Sequence, residues 1–335
     1  MKKGIIIEAI SVYHPTTAIS NEHYINYFLQ QNKDITHLLR DVYGKQNRYV
    51  IDNQNKSMEH CENSLTMQIQ VAKNILKQEN LTGQDIHGII VATQFPEYTV
   101  PPNSMFIHNA IHAHHDCFAY DINVNCLGMV MALQQAYDYM MRDSSINRIL
   151  IIGGDYLTLC IPNNDENLYG LCGDSACAII LKRTEEPSLL LDSLHFINSE
   201  QAEILKFPFS GLSNVIEKNS TDLYMRQAGK ITCYIPLLIE KIRLFLTRNN
   251  LTVEDIGGFC FSQYAFVNNR KIIESLHIPV EKCPYVGDKY GYTGGNSPFM
   301  AFNELVQHNR IKRGDYILFW TIGATVQHIL LLIRY

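Results

Sequence analysis

The stretch ILKQENLTGQDIHGIIVATQ, residues 75–94, has a second version about half a chain later, FLTRNNLTVEDIGGFCFSQ, residues 245–263. Leu81, Thr82, Asp85, Ile86 and Gly88 return as Leu251, Thr252, Asp255, Ile256 and Gly258, all offset by 170. VMAL at 130–133 and FMAF at 299–302 repeat with an offset of 169. GDSACAIILKR and IGATVQHILLLIRY close the two halves alike, each as an apolar strand after small residues. Matches that keep one register over this length indicate a duplicated unit, with halves 1–185 and 186–335.

Around the repeat, short apolar runs alternate with helical periodicity. GIIIEAISVY, HGIIVATQF, CFAYDINVN and RILIIGGD read as strands. NSLTMQIQVAKNILKQEN and LGMVMALQQAYDYMMRD carry apolar residues at spacings of three and four and read as helices, the first capped at Asn63–Ser64. The alternation predicts a layered α/β fold. VMAL and FMAF are both expected in a helix that follows a strand. By the offset, the helix that starts at Cys126 corresponds to one that starts at Gly295–Asn296. Duplication would set these two helix starts face to face near a pseudo-twofold axis. CIPNNDENLYGLC (160–172) is polar and turn-rich and is expected as a surface loop; 206–225 reads as a loop entering the second half.

Cys126 lies between a strand and a helix, in DINVNCLGMVMALQQAYDYM. A thiol in the first turn of a helix meets the positive end of the helix dipole, which favours the nucleophilic thiolate. The alternative is a small buried cysteine that fills a gap.

Composition bounds the partners. The 335 residues are 46% hydrophobic and 18% charged, as in an ordinary globular protein, and a net charge of −5 gives no electrostatic case for nucleic acid or an anionic membrane. No signal peptide or membrane-length apolar run is seen. Nine scattered cysteines without a CxxC pair suit a reducing cytoplasm. His108, His112, His114, His115 and Cys117 cluster, but no HExxH pattern accompanies them, and a solvated helix end is the expected reading. Cys172 and Cys177 are expected to be buried and inert. No GxGxxG signature calls for a nicotinamide or flavin.

The duplicated halves, the mid-chain cysteine that opens a helix, GDSACAIIL, DKYGYTGGNSP and the glycine-containing final strand resemble the thiolase fold. Within it the chain resembles the type III β-ketoacyl-acyl-carrier-protein synthases over nearly its whole length. The resemblance implies a five-layered α-β-α-β-α architecture, usually a homodimer, and no cofactor beyond an acyl-carrier or coenzyme A thioester substrate. It implies that Cys126 takes the acyl group, that the amides of Cys126 and of the TIGA turn at Gly323 and Ala324 hold the oxyanion, and that Asn296 lies beside the substrate. Chemically, such a cysteine attacks the thioester and becomes acylated, and the tetrahedral oxygen needs backbone donors.

The chain departs from the family pattern in two places. Classical members bind the malonyl thioester carbonyl with a histidine and an asparagine; the matching positions here hold Ser262 and Tyr292. Neither has a basic lone pair near neutral pH, though both form hydrogen bonds. Coenzyme A-using members clamp adenine between a tryptophan and an arginine; those positions hold Leu38 and Val42, with Arg40 between them as a phosphate contact. The expectation is a cytoplasmic acyltransferase that loads Cys126 and passes the acyl group to a nucleophile, in specialised lipid, polyketide or secondary-metabolite biosynthesis. Two alternatives stand beside it: a non-catalytic or half-catalytic subunit paired with a related synthase chain, and decarboxylative condensation by non-standard residues.

Overall fold

The two copies of the repeat fold into the same local structure. Asn80 and Asn250 both adopt left-handed backbone, at φ 55° and 54°, and each closes the helix before it. Two residues on, the amide and hydroxyl of Thr82 donate to Asp85 Oδ2 at 2.8 and 2.9 Å, and those of Thr252 to Asp255 Oδ2 at 2.8 Å each. The structure is a computed structural model that describes residues 4–185, 190–220, 222–229, 231–324 and 326–335, and of Leu191 the backbone alone. The expected junction of the halves, at 185/186, abuts residues 186–189, which lie outside the described residues.

The first half holds strands β1 (Gly4–Tyr13), β2 (Gly88–Ala92), β3 (Phe118–Ile122), β4 (Arg148–Asp155) and β5 (Ser175–Thr184). The second holds β6 (Leu190–Ile197), β7 (Ile256–Phe261), β8 (Tyr316–Gly323) and β9 (Gln327–Arg334). They form two sheets, ordered β1-β5-β4-β2-β3 and β7-β8-β9-β6. β4, β2 and β3 run parallel and β5 antiparallel to both its neighbours. In the second sheet β7 and β8 are parallel, and β9 is antiparallel to β8 and β6.

The five longest of the described helices complete the layers: α1 (Ser64–Gln78), α2 (Gly128–Arg142), α3 (Ile235–Arg248), α4 (Phe266–Leu276) and α5 (Ser297–Gln307). The strands are apolar at consecutive positions because both faces of each sheet are covered. Ile149 and Ile151 pack inward with Val130 and Leu133 of α2 and Phe299 and Phe302 of α5, where Phe319 and Leu331 of the second sheet meet them. Leu150 and Ile152 face outward onto Val71 and Ile75 of α1. Leu318 and Trp320 face outward onto Ile242 and Phe245 of α3 and Ile272 of α4. The order is therefore α1, sheet, α2 with α5, sheet, α3 with α4: the five-layered thiolase architecture that the resemblance implies.

The equivalence of the halves fails at one element. α2 follows a strand, as expected, but α5 does not. Residues 283–296 instead hold a helical turn at Gly287–Tyr290 and a 3-10 turn at Gly294–Asn296. Among the described residues the second sheet has no counterpart of β3. Pro284 lacks a ladder donor, and Gly291 and Gly294 hold positive φ of 75° and 58°; both disrupt an extended run. The bend they make carries Tyr292 towards Cys126.

Candidate active site

The chain turns sharply just before the nucleophile. Asn125 is left-handed at φ 50°, a conformation that a short polar side chain tolerates. Leu127 N donates to Val124 O at 3.0 Å and Gly128 N to Asn125 O at 3.1 Å. α2 then begins at Gly128, so Cys126 stands two residues before the first helical residue. Thr321 of β8 ties the turn to the second sheet, its hydroxyl donating to Cys126 O at 3.0 Å. A Cβ on Gly295 would lie 3.4 Å from Cys126 O. The two helix starts do meet, as the repeat offset requires.

Cys126 opens onto a cavity of about 160 Å³. Tyr292, Gly323 and Ala324 share its wall with Gln94 and Tyr264, and aliphatic side chains of the loops complete it. A Cβ on Gly323 would come within 2.7 Å of Leu127 Cδ1. Glycine is needed there for β8 to approach the nucleophile turn.

Burial pushes the Cys126 thiol up to about 11, and the negative charge of Asp155 adds to the effect. The Tyr292 hydroxyl acts in the opposite direction and only partly offsets it. The helix start alone therefore does not set the thiol's ionisation: burial raises its pKa, against the direction expected from the helix dipole.

Tyr292 is held at its backbone, with its N–H on Leu171 O and its carbonyl accepting from Gly173 N, both at 3.0 Å. Its ring meets Tyr264 edge-on at 5.5 Å. Burial holds its phenol well above the ordinary value, and the neighbouring Cys126 adds to this. The group is thus a permanent donor beside the sulfur. Ser262 lies behind Tyr292 and off the cavity wall. It is 1% exposed, its amide donates to Trp320 O at 2.8 Å, and its Oγ, though outside full hydrogen-bond geometry, stands near enough to the Tyr292 hydroxyl to act against the rise in that phenol's pKa. Serine and tyrosine thus meet near the cysteine, but only the tyrosine reaches the cavity.

The one charged side chain on the described cavity wall is Lys206, whose Nζ pairs with Glu203 at 2.7 Å. Among the described residues the cavity wall holds no histidine, aspartate or glutamate. His328 stacks on Phe196 at 4.2 Å, its Nδ1 accepts from Trp320 Nε1 at 3.2 Å, and burial lowers its pKa to about 4. Asn269 donates to the Ser262 carbonyl at 3.0 Å.

The remaining candidates sit elsewhere. Leu38 and Val42 are half-buried on one π-helical turn and pack on Leu39 and Tyr43. Arg40 is exposed and paired with Glu22 at 2.6 Å. None of the three lines the cavity. Asn296 is also off it: Nδ2 donates to Ser175 O and Oγ at 3.1 Å, and a Cβ on Gly153 would meet Oδ1 at 2.1 Å. Its place beside the substrate is corrected to a brace between α5 and the first sheet. The 160–172 segment is likewise more than a surface loop. Ile161, Leu168, Leu171 and Cys172 are buried and form cavity wall. The aliphatic residues spaced through that polar stretch were the available signal. Gln94 and Tyr264 carried none. Among the described residues no group of three or more potential metal ligands gathers, and no helix is long and apolar enough to cross a membrane.

Residues 120–198 match the family model for 3-oxoacyl-[acyl-carrier-protein] synthase III, and 246–335 match that for its C-terminal part. Cys126 falls in the first, and Ser262, Tyr292 and Gly323 in the second. A β-ketoacyl-[acyl-carrier-protein] synthase III of Coxiella burnetii is 29% identical over 288 residues, 84% of this chain and 85% of that one. The crystal structure of the 3-oxoacyl-[acyl-carrier-protein] synthase III of Aquifex aeolicus superposes with a TM-score of 0.83 at 24% identity, over 99% of this chain and 100% of that one. The priming β-ketosynthase of the R1128 polyketide pathway gives 0.86 at 18% identity, over 99% and 96%.

Proposed function

The chain is a type III β-ketoacyl-acyl-carrier-protein synthase-like acyltransferase of the thiolase fold, and from that premise we propose that it transfers acyl groups through Cys126 without decarboxylative condensation. One observation carries this reading. Cys126 opens on an apolar cavity beside Gly323 and Ala324, yet the described wall holds no imidazole or carboxylate.

Acylation does not require such a base in its net balance. The Cys126 sulfur bonds to the thioester carbon, the donor carbon–sulfur bond breaks, and the thiol proton leaves on the departing sulfur. Backbone N–H groups of Cys126 and the Gly323–Ala324 turn would hold the oxyanion. An amine, hydroxyl or thiol acceptor then takes the acyl group and returns its proton to Cys126. Tyr292 donates to the sulfur or the carbonyl oxygen, and Ser262 supports it from behind. No bound prosthetic group enters either step. The setting we propose is a specialised lipid, polyketide or secondary-metabolite pathway in the cytoplasm. Intact-protein mass after incubation with acyl-coenzyme A and acyl-carrier thioesters tests the loading step. A mass gain equal to one acyl group is expected; no gain with any donor would overturn the reading.

The donor should be an acyl-carrier protein. Half-buried Leu38 and Val42 offer adenine no planar sandwich, and Arg40 is already paired with Glu22. The carrier-bound acyl group is expected to give the higher kcat/KM for Cys126 acylation. Equal or reversed values against the matching acyl-coenzyme A would contradict this.

We further propose that the protein acts as a dimer with a second copy of itself. β3 is an edge strand with all five residues half-buried. Phe118 and Tyr120 on it stack on each other at 6.3 Å and meet Tyr139 of α2 at a tilt, and Val100 on the adjoining loop is 85% exposed. An unpaired edge flanked by apolar side chains is a template for strand pairing. Light scattering at micromolar concentration should give twice the chain mass; a folded monomer would refute it.

A further inference from the structure

We propose that Gln94 is the positioning residue for the Cys126 thiol, and that Asp155 decides which end of the Gln94 amide meets the sulfur. This rests on Cys126 as the acyl acceptor.

Gln94 follows the end of β2, and Asp155 ends the neighbouring β4. Three donors fix Asp155 Oδ1: Thr93 Oγ1 at 2.7 Å, Gln94 N at 2.8 Å and Phe95 N at 3.1 Å. Oδ2 takes Gln94 Nε2 at 3.3 Å. On its other side Gln94 Oε1 accepts from Cys126 Sγ at 3.9 Å, a distance that a sulfur donor spans. Asp155 is 6% exposed, and Gly294 leaves the space between: a Cβ there would stand 3.2 Å from Gln94 Nε2 and 3.9 Å from Asp155 Oδ2.

All four contacts of Asp155 donate to it, so although burial raises its pKa the carboxylate is used only as an acceptor; an amide has one donor end and one acceptor end. Asp155 therefore draws the NH₂ end of Gln94 towards itself and leaves the carbonyl oxygen for the cysteine. The S–H bond then points at Gln94, and the sulfur lone pairs face the cavity where a thioester carbon arrives. Such alignment of reacting atoms is a large part of what an active site supplies. The two ends of the amide act in opposite directions on the sulfur: the carbonyl oxygen, to which the S–H donates, favours the thiol, and the NH₂, where it reaches the sulfur, lowers the thiol's pKa. The other groups that act on Cys126 are Tyr292, which favours the thiolate, Asp155, whose charge opposes it, and Cys172, electrostatically coupled to it.

The test is Asp155→Asn. The new NH₂ would face the Gln94 NH₂, and the amide must turn over to present its donor end to the sulfur. Iodoacetamide modification of Cys126 should then run about tenfold faster at pH 8, with its pH midpoint about one unit lower. Loss of the Asp155 charge acts in the same direction, so the change is repeated in Gln94→Leu, where no amide can turn. There Asp155→Asn should change the rate by less than about threefold. An equal effect in both backgrounds, or none in either, overturns the proposal. If Asp155→Asn does not fold, the acylation kinetics of two Gln94 variants decide. In Gln94→Glu a proton shared with Asp155 keeps an acceptor oxygen on the sulfur, and the rate should hold. Gln94→Leu should lose about tenfold in kcat at unchanged KM, and equal losses overturn the proposal. Alkylation needs no acyl donor, so its outcome is separate from failure of the wild type to load one.

Discussion

Replacement of Cys126 by alanine is expected to abolish acyl-enzyme formation, a loss of at least about a thousandfold in acylation rate. The fold should survive, because the side chain is small and only its backbone carbonyl is tied to the second sheet, through Thr321. Neighbouring thiols should not take over. Cys172 and Cys233 line the same cavity, but burial pushes the Cys172 thiol well above the ordinary range and raises that of Cys233. Cys172 precedes strand β5 rather than a helix, and the Gly323 turn packs on Asn125 and Leu127, the neighbours of Cys126. Intact mass followed by peptide mapping checks the expectation. An adduct that survives Cys126→Ala, on Cys172 or elsewhere, would show that the nucleophile is misassigned.

The second large effect concerns malonyl thioesters. Decarboxylation builds an enolate on the thioester oxygen, and the rate depends on donors placed for that charge. Loss of one such donor typically costs on the order of a hundredfold. Here Tyr292 supplies at most one, and Ser262 sits behind it, off the cavity wall. His328 is locked against Phe196 and Trp320. The wild type should therefore release carbon dioxide from malonyl thioesters at least about a hundredfold more slowly than it acylates Cys126. Parallel assays of labelled carbon dioxide and of the protein adduct give the two rates. Comparable rates would place a competent donor pair where the structure has Tyr292 and Ser262.

Much of the architecture was legible in the sequence, because duplication writes the same local physics twice. Leu81–Gly88 and Leu251–Gly258 announce one turn, and the structure repeats its Thr–Asp hydrogen bonds within 0.1 Å of each other. The apposition of Cys126 with Gly295 followed from the offset alone. What failed was whatever depends on contacts between distant segments. The bend before α5 replaces a strand because Pro284, Gly291 and Gly294 override the symmetry. Asn296 has the right position along the chain, but Gly153 and Ser175 occupy its side chain. The thiolate expectation counted the helix dipole and left out desolvation, whose size depends on walls supplied by the 160–172 loop. Gln94 had no motif; only the fold brings it between Asp155 and Cys126.

The most direct measurement loads wild-type protein with an acyl-carrier thioester, removes the donor, and offers malonyl thioester or a simple thiol or amine acceptor. Loss of the Cys126 adduct and release of carbon dioxide are followed together. Transfer without decarboxylation predicts that the thiol or amine discharges the adduct, while malonyl thioester leaves it in place and yields no carbon dioxide above background. Discharge by malonyl thioester with one equivalent of carbon dioxide per adduct would contradict it.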